Sequence, residues 1–175
     1  MSLMENLPML ETERLQLRPF GIENERDLAA MLGDAEVMRF YGGGVTHSQE
    51  SARVTLNYHL ACCDHNYWAW AITDKEDGRF IGSITAALTD FEGESWFEPA
   101  WILARHEWGQ GLATEAARAV ANYATVELKC ARLLATTHPL NIASQRVIEK
   151  VGFSFRGEAE VRKGRPAMVF VMRLA

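Results

Sequence analysis

A chain of 175 residues with 48% apolar and 23% charged side chains can bury one core, and its composition excludes a disordered or collagen-like chain. The formal net charge of −5 argues against a nucleic-acid reader, although residues 131–175 carry 8 basic and 3 acidic side chains and so suit a smaller polyanion. No run approaches the roughly 18 apolar residues of a membrane span, and no basic start leads into a long apolar stretch, so a soluble cytoplasmic protein without a membrane partner is expected.

Met1-Ser2-Leu3 precede a second methionine, Met4, and read as an expression scar, leaving residues 4–175 as a single domain. Leu15-Gln16-Leu17-Arg18-Pro19-Phe20 alternates as a first strand, and a helix follows from Glu23 to Leu32. Gly42-Gly43-Gly44 marks a loop tip. Thr46-His47-Ser48 offers caps for a second helix carrying Val54, Leu56, Tyr58 and Leu60. Trp68–Ile72 and Phe80–Ile84 flank a polar turn as an antiparallel hairpin, and Phe97–Leu103 is a further strand. Ala113, Ala116, Ala117, Val120, Ala121 and Ala124 follow helical spacing before the short buried strand Leu133–Thr137, the order of a parallel crossover. Asn141 caps a helix with Ala143, Val147, Ile148 and Val151 on its apolar face, and Gly152 stops it. Two antiparallel strands around Lys163-Gly164-Arg165 close the chain. The three cysteines include the neighbours Cys62 and Cys63, whose geometry disfavours a mutual bridge, and the core thiol Cys130. With five histidines showing no ligand spacing, neither a disulfide framework nor a metal site is expected.

The most informative stretch runs from Trp101-Ile102-Leu103 into Trp108-Gly109-Gln110-Gly111-Leu112-Ala113-Thr114-Glu115. Glycines there let the chain bend and leave amide N–H groups bare, and the helix start adds orphan donors aimed at one spot, which suits a phosphate. The alternative is a tight strand-to-helix turn without a ligand. A nucleoside-triphosphate loop requires Lys and Ser or Thr after the second glycine, where Leu112 and Ala113 stand. A dinucleotide fingerprint requires Gly or Ala where Thr114 stands.

On Leu15–Arg18, Trp108–Ala116, and Asn141-Ile142-Ala143-Ser144 leading to Glu149-Lys150-Val151-Gly152-Phe153, the chain resembles the GCN5-related N-acetyltransferase superfamily, and within it the branch that acetylates ribosomal-protein N-termini. The resemblance implies an α/β (α+β) fold: a mixed, mostly antiparallel sheet splayed at its centre, with helices on both faces. It also implies acetyl-coenzyme A as co-substrate and no metal. Trp108, Gly109, Gln110, Gly111, Leu112, Ala113 and Thr114 would hold the pyrophosphate through backbone amides, and Trp101, Ile102 and Leu103 would line the pantetheine arm between the strands. Pro99 agrees physically, because a proline belongs at a bulge or break. The family's Gln or Arg three residues before the first glycine is replaced by His106.

Acetyl transfer requires a neutral amine, donors for an oxyanion and a proton for the departing thiolate. Backbone N–H groups from Ala100 to Ile102 could serve the oxyanion if the strand is bulged there. Many members carry a tyrosine as acid four residues before the Gly-Phe, where this chain has Ile148. Ser144, on the same helix, is the substitute, against the plain reading of a first-turn helix serine. Glu98 is the candidate base or amine-orienting group, against that of a solvated carboxylate. Asn141 reads both as a cap and as a partner of the pantetheine amides. Trp96 and Trp101 flank the cleft as substrate contacts, and Asp90, Glu92, Glu94 and Glu98 would attract a cation. The acceptor is a protein N-terminal α-amine or a small amine such as an aminosugar, polyamine or antibiotic. A coenzyme A-binding regulatory module without catalysis is the reading from a different class. A monomer or a homodimer fits equally.

Overall fold

The computed structural model describes residues 7–61, 66–161 and 164–173; the readings placed on Met1–Met4, Cys62, Cys63, His65 and Lys163 lie outside them. Alternation builds the sheet. In β2 (Leu15–Pro19), Leu15 and Leu17 are fully buried while Gln16 and Arg18 are only half-buried. β2 pairs with β1 (Leu10–Glu11) on one side and with β3 (Tyr67–Asp74) on the other. Then come β4 (Phe80–Phe91), β5 (Glu94–Leu103) and β6 (Arg132–Thr137). The last two strands, β7 (Ser154–Val161) and β8 (Arg165–Arg173), complete an eight-stranded sheet in the order β1-β2-β3-β4-β5-β6-β8-β7. Every neighbouring pair is antiparallel except β5–β6.

That exception follows from the connection. A parallel neighbour needs a crossover, and here it is α4 (Leu112–Asn122), extended by a π-helical turn over Tyr123–Glu127. Its small-residue stripe of Ala116, Ala117, Val120, Ala121 and Ala124 lies buried on the sheet face that carries Leu17, Trp70, Ile84, Phe97 and Leu133. Beside it on this face packs α5 (Ile142–Val151), through Ile148, which is fully buried, with Val147 and Val151. The opposite face is covered by α1 (Glu25–Gly33), α2 (Ala35–Met38) and α3 (Gln49–Ala61), whose Leu28, Leu32, Met38 and Leu56 bury against Ala69, Ala71 and Ile102. Each large apolar side chain so buried contributes roughly 1.5–3 kcal/mol.

Several expectations need correction. Val54, Leu56, Tyr58 and Leu60 recur every second residue, but a helix turns 100° per residue, so Leu56 is buried with Ala52 while Val54, Tyr58 and Leu60 stay exposed. Ala143 has the spacing of the apolar face of its helix, yet it stands in the first turn of the helix and is exposed. The first helix starts two residues later than predicted, because Ile22–Asn24 forms a 3₁₀ turn whose buried Asn24 accepts the Gly21 N–H at 3.0 Å. The β4–β5 hairpin is longer than the sequence suggested. Glu92 (φ 55°) and Gly93 (φ 76°) make a two-residue turn with both φ positive, which suits the twist of the strands it joins, Phe91 pairing with Glu94.

Candidate active site

The parallel seam is where the sheet opens. β5 and β6 pair only at Phe97 and Leu133, whereas β5 stays paired to β4 from Glu94 to Leu103 without a register shift. The bulge on which an oxyanion role for Ala100–Ile102 was made conditional is therefore absent from the β4–β5 ladder. The backbone edge of these residues is freed because β6 departs, two residues before Pro99, which brings no N–H to a ladder. α4 and α5 follow β5 and β6 and pack on the same face, so both helices start near the carboxyl ends of the two parted strands, where open α/β sheets bind ligands.

Between β5 and α4, Gly109 (φ 77°) and Gly111 (φ 80°) both lie in the left-handed region, and a Cβ on Gly109 would meet nothing within 4 Å. Gly111 caps α4 without a side-chain acceptor, so the first amides of the helix keep their N–H groups for another partner. A cradle with this open floor and these bare donors fits a pyrophosphate. Of the residues expected to hold it, Leu112 and Thr114 are buried and Trp108 is exposed, its indole N–H donating to the Leu103 carbonyl at 2.9 Å. The Gln110 side chain turns back to the His106 carbonyl and Glu107, and His106 lies 3.4 Å from Glu107. The turn thus offers backbone rather than side-chain contacts. Trp101 and Leu103 pack on the α4 face and Ile102 on the opposite face, so these three also offer backbone.

The supports of the turn escaped sequence reading. The Arg14 guanidinium donates to the Gln110 carbonyl at 3.0 Å and pairs with Glu115 at 2.7 Å, while the Thr12 hydroxyl donates to the same carboxylate. Burial works to raise the Glu115 carboxyl, and the Thr12, Arg14 amide and Arg14 guanidinium donors outweigh it, leaving the pKa lowered. Beneath the turn, buried Glu107 accepts from Arg79 at 3.1 Å, and Arg79 also reaches Asp74 and Asp77. Apart from Asp74 and Asp77, which are near neighbours of Arg79 in the chain, these partners are 28 to 103 residues apart, and no local pattern announces them.

Glu98 and the helix that carries Ser144 lie on opposite faces of the sheet. Ser144 stands in the first turn of α5, its N–H donating to the Asn141 side-chain oxygen Oδ1 at 3.2 Å, and its hydroxyl has no hydrogen bond among the described residues. Asn141 is thus the cap, and its amide group is left for a second partner. Glu98 projects toward the α1–α3 side. Its carboxylate accepts from the Thr89 hydroxyl of β4 at 3.0 Å and from the Thr136 hydroxyl of β6 at 2.7 Å, the second bond crossing the opening. Ile148 is fully buried in the core.

Other expected contacts move away. Trp96 is 1% exposed, donates to the Phe91 carbonyl and carries Arg173 over its ring, so it is core rather than a substrate contact. Glu94 pairs with Arg132 and Arg173, and Glu92 with Arg156. Much of the acidic hairpin is therefore neutralised by the cationic C-terminal region, whose charge was expected to meet a polyanion. Cys130 is half-buried against the core, and burial raises its thiol pKa. Among the described residues, no group of three or more His, Cys, Asp and Glu is placed to hold a metal ion, and no helix is long and apolar enough to cross a membrane.

A cavity of about 410 Å³ opens on the α1–α3 side, with Tyr41, Val54, Tyr58, His59, Tyr67 and Ser83 among its walls. The Tyr67 hydroxyl and His59 Nδ1 lie 3.1 Å apart, and Phe20 stacks on the His59 ring at 4.8 Å. Burial pushes the His59 pKa down to about 4, so the imidazole is neutral at neutral pH. Register ties this cavity to the seam, because Tyr67 pairs with Ala87 and Ala87 with Glu98, one cross-strand row on one face. After α2, Phe40 stacks on His138 at 5.2 Å and Gly43 lies against the Arg165 guanidinium, so the Gly42–Gly44 loop reaches both the β6–α5 connection and the start of β8.

The sequence profile of the acetyltransferase (GNAT) domain family matches residues 14–154. The chain is similar to protein YkkB of Bacillus subtilis (strain 168), 32% identical over 150 residues that cover 83% of this chain and 85% of that one. Its fold is similar to that of an acetyltransferase (GNAT family) from Bacillus anthracis, with a TM-score of 0.82, 23% identity and coverage of 95% of this chain and 98% of the other. It is also similar to that of RimL, a ribosomal L7/L12 alpha-N-protein acetyltransferase solved in complex with coenzyme A, with a TM-score of 0.76, 15% identity and coverage of 95% and 98%.

Proposed function

Because the chain belongs to the GNAT acetyltransferase family and is an acetyl-CoA-dependent N-acetyltransferase, we propose that its acceptor is an α-amino group, approached from the α1–α3 side and oriented by Glu98. The observation that carries this reading is the Glu98 carboxylate, held by Thr89 and Thr136 where β5 and β6 part. Acetyl-CoA supplies the activated acetyl group. Glycine-turn amides from Gly109 to Ala113 and the Asn141 amide hold the co-substrate, and the β5 backbone edge from Ala100 to Ile102 offers donors to the carbonyl oxygen. Glu98 accepts a proton from the acceptor's ammonium, and the neutral amine so formed attacks the thioester carbonyl. The Ser144 hydroxyl, on the far face, donates toward the departing sulfur.

The demand on the base favours an α-amine. Freeing such an amine at neutral pH costs roughly 1 kcal/mol, against roughly 4–5 for an unperturbed lysine side chain. A single carboxylate tied to two hydroxyls suits the smaller demand. RimL, whose fold this chain shares, is described as acting on a protein α-amine. The test is a thiol-release assay with acetyl-CoA against amino-acid amides and N-acetylated lysine amide. Faster turnover of the α-amines supports the reading, and turnover confined to the side-chain amine overturns it.

A further inference from the structure

We propose that the cavity under α1 and α3 receives the uncharged aromatic or apolar group adjacent to the acceptor's amine, so that the substrate class is an α-amine borne on such a residue rather than a polycation. The inference rests on the proposed role of Glu98 and deepens it. Tyr67, which lines the cavity, stands in the same cross-strand row as Glu98, two strands away, and strands about 4.8 Å apart put roughly 10 Å between their backbones. That is the span of an aromatic side chain and the amine beside it.

The walls select by chemistry. Tyr41, Tyr58, Tyr67 and His59 bring aromatic rings to the walls, Val54 and Leu28 bring apolar surface, and among the described residues no carboxylate lines the cavity. One ammonium can rest on ring faces, but the further charges of a polyamine or aminosugar would lose water without gaining a counter-charge. Nor does the acidic hairpin supply one in full, since Glu92 and Glu94 are already paired with arginines. An aromatic guest, by contrast, exchanges water for offset or edge-to-face ring contacts.

The experiment compares L-phenylalaninamide with L-argininamide, and pentapeptides beginning with Phe or Arg, using the full chain and acetyl-CoA. The two members of each pair carry like α-amines and differ in side-chain charge, and the two pairs separate a free amino-acid derivative from a peptide terminus. The expected result is a kcat/KM at least about tenfold higher for the phenylalanine member of a pair. Val54→Glu places a carboxylate at a wall position that is 64% exposed, where the fold tolerates it, and should narrow that ratio about tenfold, mainly through KM. Equal rates, a preference for arginine, or an unchanged ratio in Val54→Glu overturns the proposal. If acetyl-CoA binds but no amine is turned over, the role given to Glu98 fails separately. The cavity is then read by calorimetry on the acetyl-CoA-loaded protein, where L-phenylalaninamide must bind more tightly than L-argininamide for the proposal to stand.

Discussion

Thr136 donates its hydroxyl to Glu98 at 2.7 Å across two strands that share a single backbone pairing. The bond joins the two strands at the one place in the sheet where neighbours run parallel. It holds the carboxylate at the seam while β6 diverges, and Thr89 fixes the other oxygen from β4.

Glu98→Gln should therefore lower kcat by about 10²–10⁴-fold, the usual contribution of a positioned acid–base group, with little change in acetyl-CoA affinity. Thr136→Val should lower kcat less and leave the fold intact, because an isosteric methyl replaces the hydroxyl. Steady-state kinetics beside calorimetric titration separates the two quantities, and a Glu98→Gln enzyme with wild-type kcat would remove Glu98 from the chemistry.

Ser144→Ala should slow turnover while α5 keeps its cap, since the cap uses the Ser144 N–H and not its hydroxyl. Asn141→Ala should act differently, costing about 1 kcal/mol of stability through the lost cap and weakening acetyl-CoA binding as well. Thermal melts and titrations of both variants test this division. A Ser144→Ala melt shifted as far as that of Asn141→Ala would reassign the hydroxyl to structure.

Gly109→Ala and Gly111→Ala place a Cβ on residues with φ near 80°, which costs roughly 1–2 kcal/mol each. The two differ in space: above Gly109 the cradle is open, while at Gly111 a Cβ would lie 3.6 Å from the Arg14 guanidinium. We expect both to weaken acetyl-CoA binding, and Glu115→Gln to weaken it too by loosening Arg14 from the turn. Unchanged dissociation constants in all three variants would move the cofactor site elsewhere.

His59 makes stability depend on pH. Its folded pKa of about 4 lies below the ordinary 6.5 because burial penalises the charged ring. The unfolded chain therefore binds more protons between these values, and stability, complete above pH 6.5, should fall by about 3 kcal/mol as pH drops toward 4. Denaturant melts from pH 4 to 8 should show the slope in the native chain and a flatter profile in His59→Phe. A slope of equal size in the variant would place its source in other groups.

The glycine turn and the α5 cap were legible because their physics is local: left-handed glycines, a helix start and an Asn three residues before the N–H it accepts all fall within a few positions of chain. From β2 onward the strand and helix order was legible for the same reason, from periods of two and of 3.6, while β1 and α2, of two and four residues, are too short to show a period. The spacing of Val54, Leu56, Tyr58 and Leu60 named no buried face for α3, and of the four only Leu56 enters the core. Residues tied over long separations, such as Thr12 with Glu115 or Arg79 with Glu107, carry no signal in their own neighbourhood.

By itself, then, the sequence determined the elements, the phosphate-fitting turn and the family plan that joins them, all consequences of short-range pattern. Only the tertiary structure decided that β5 and β6 separate after one pairing without a bulge, and that Glu98 takes the α1–α3 face of the sheet while α5, which carries Ser144, packs on the other. It also decided that Glu92 and Glu94 are neutralised by arginines rather than free to draw in a cation. These depend on strand register and on which face each side chain takes, and both are set when distant segments pack against one another.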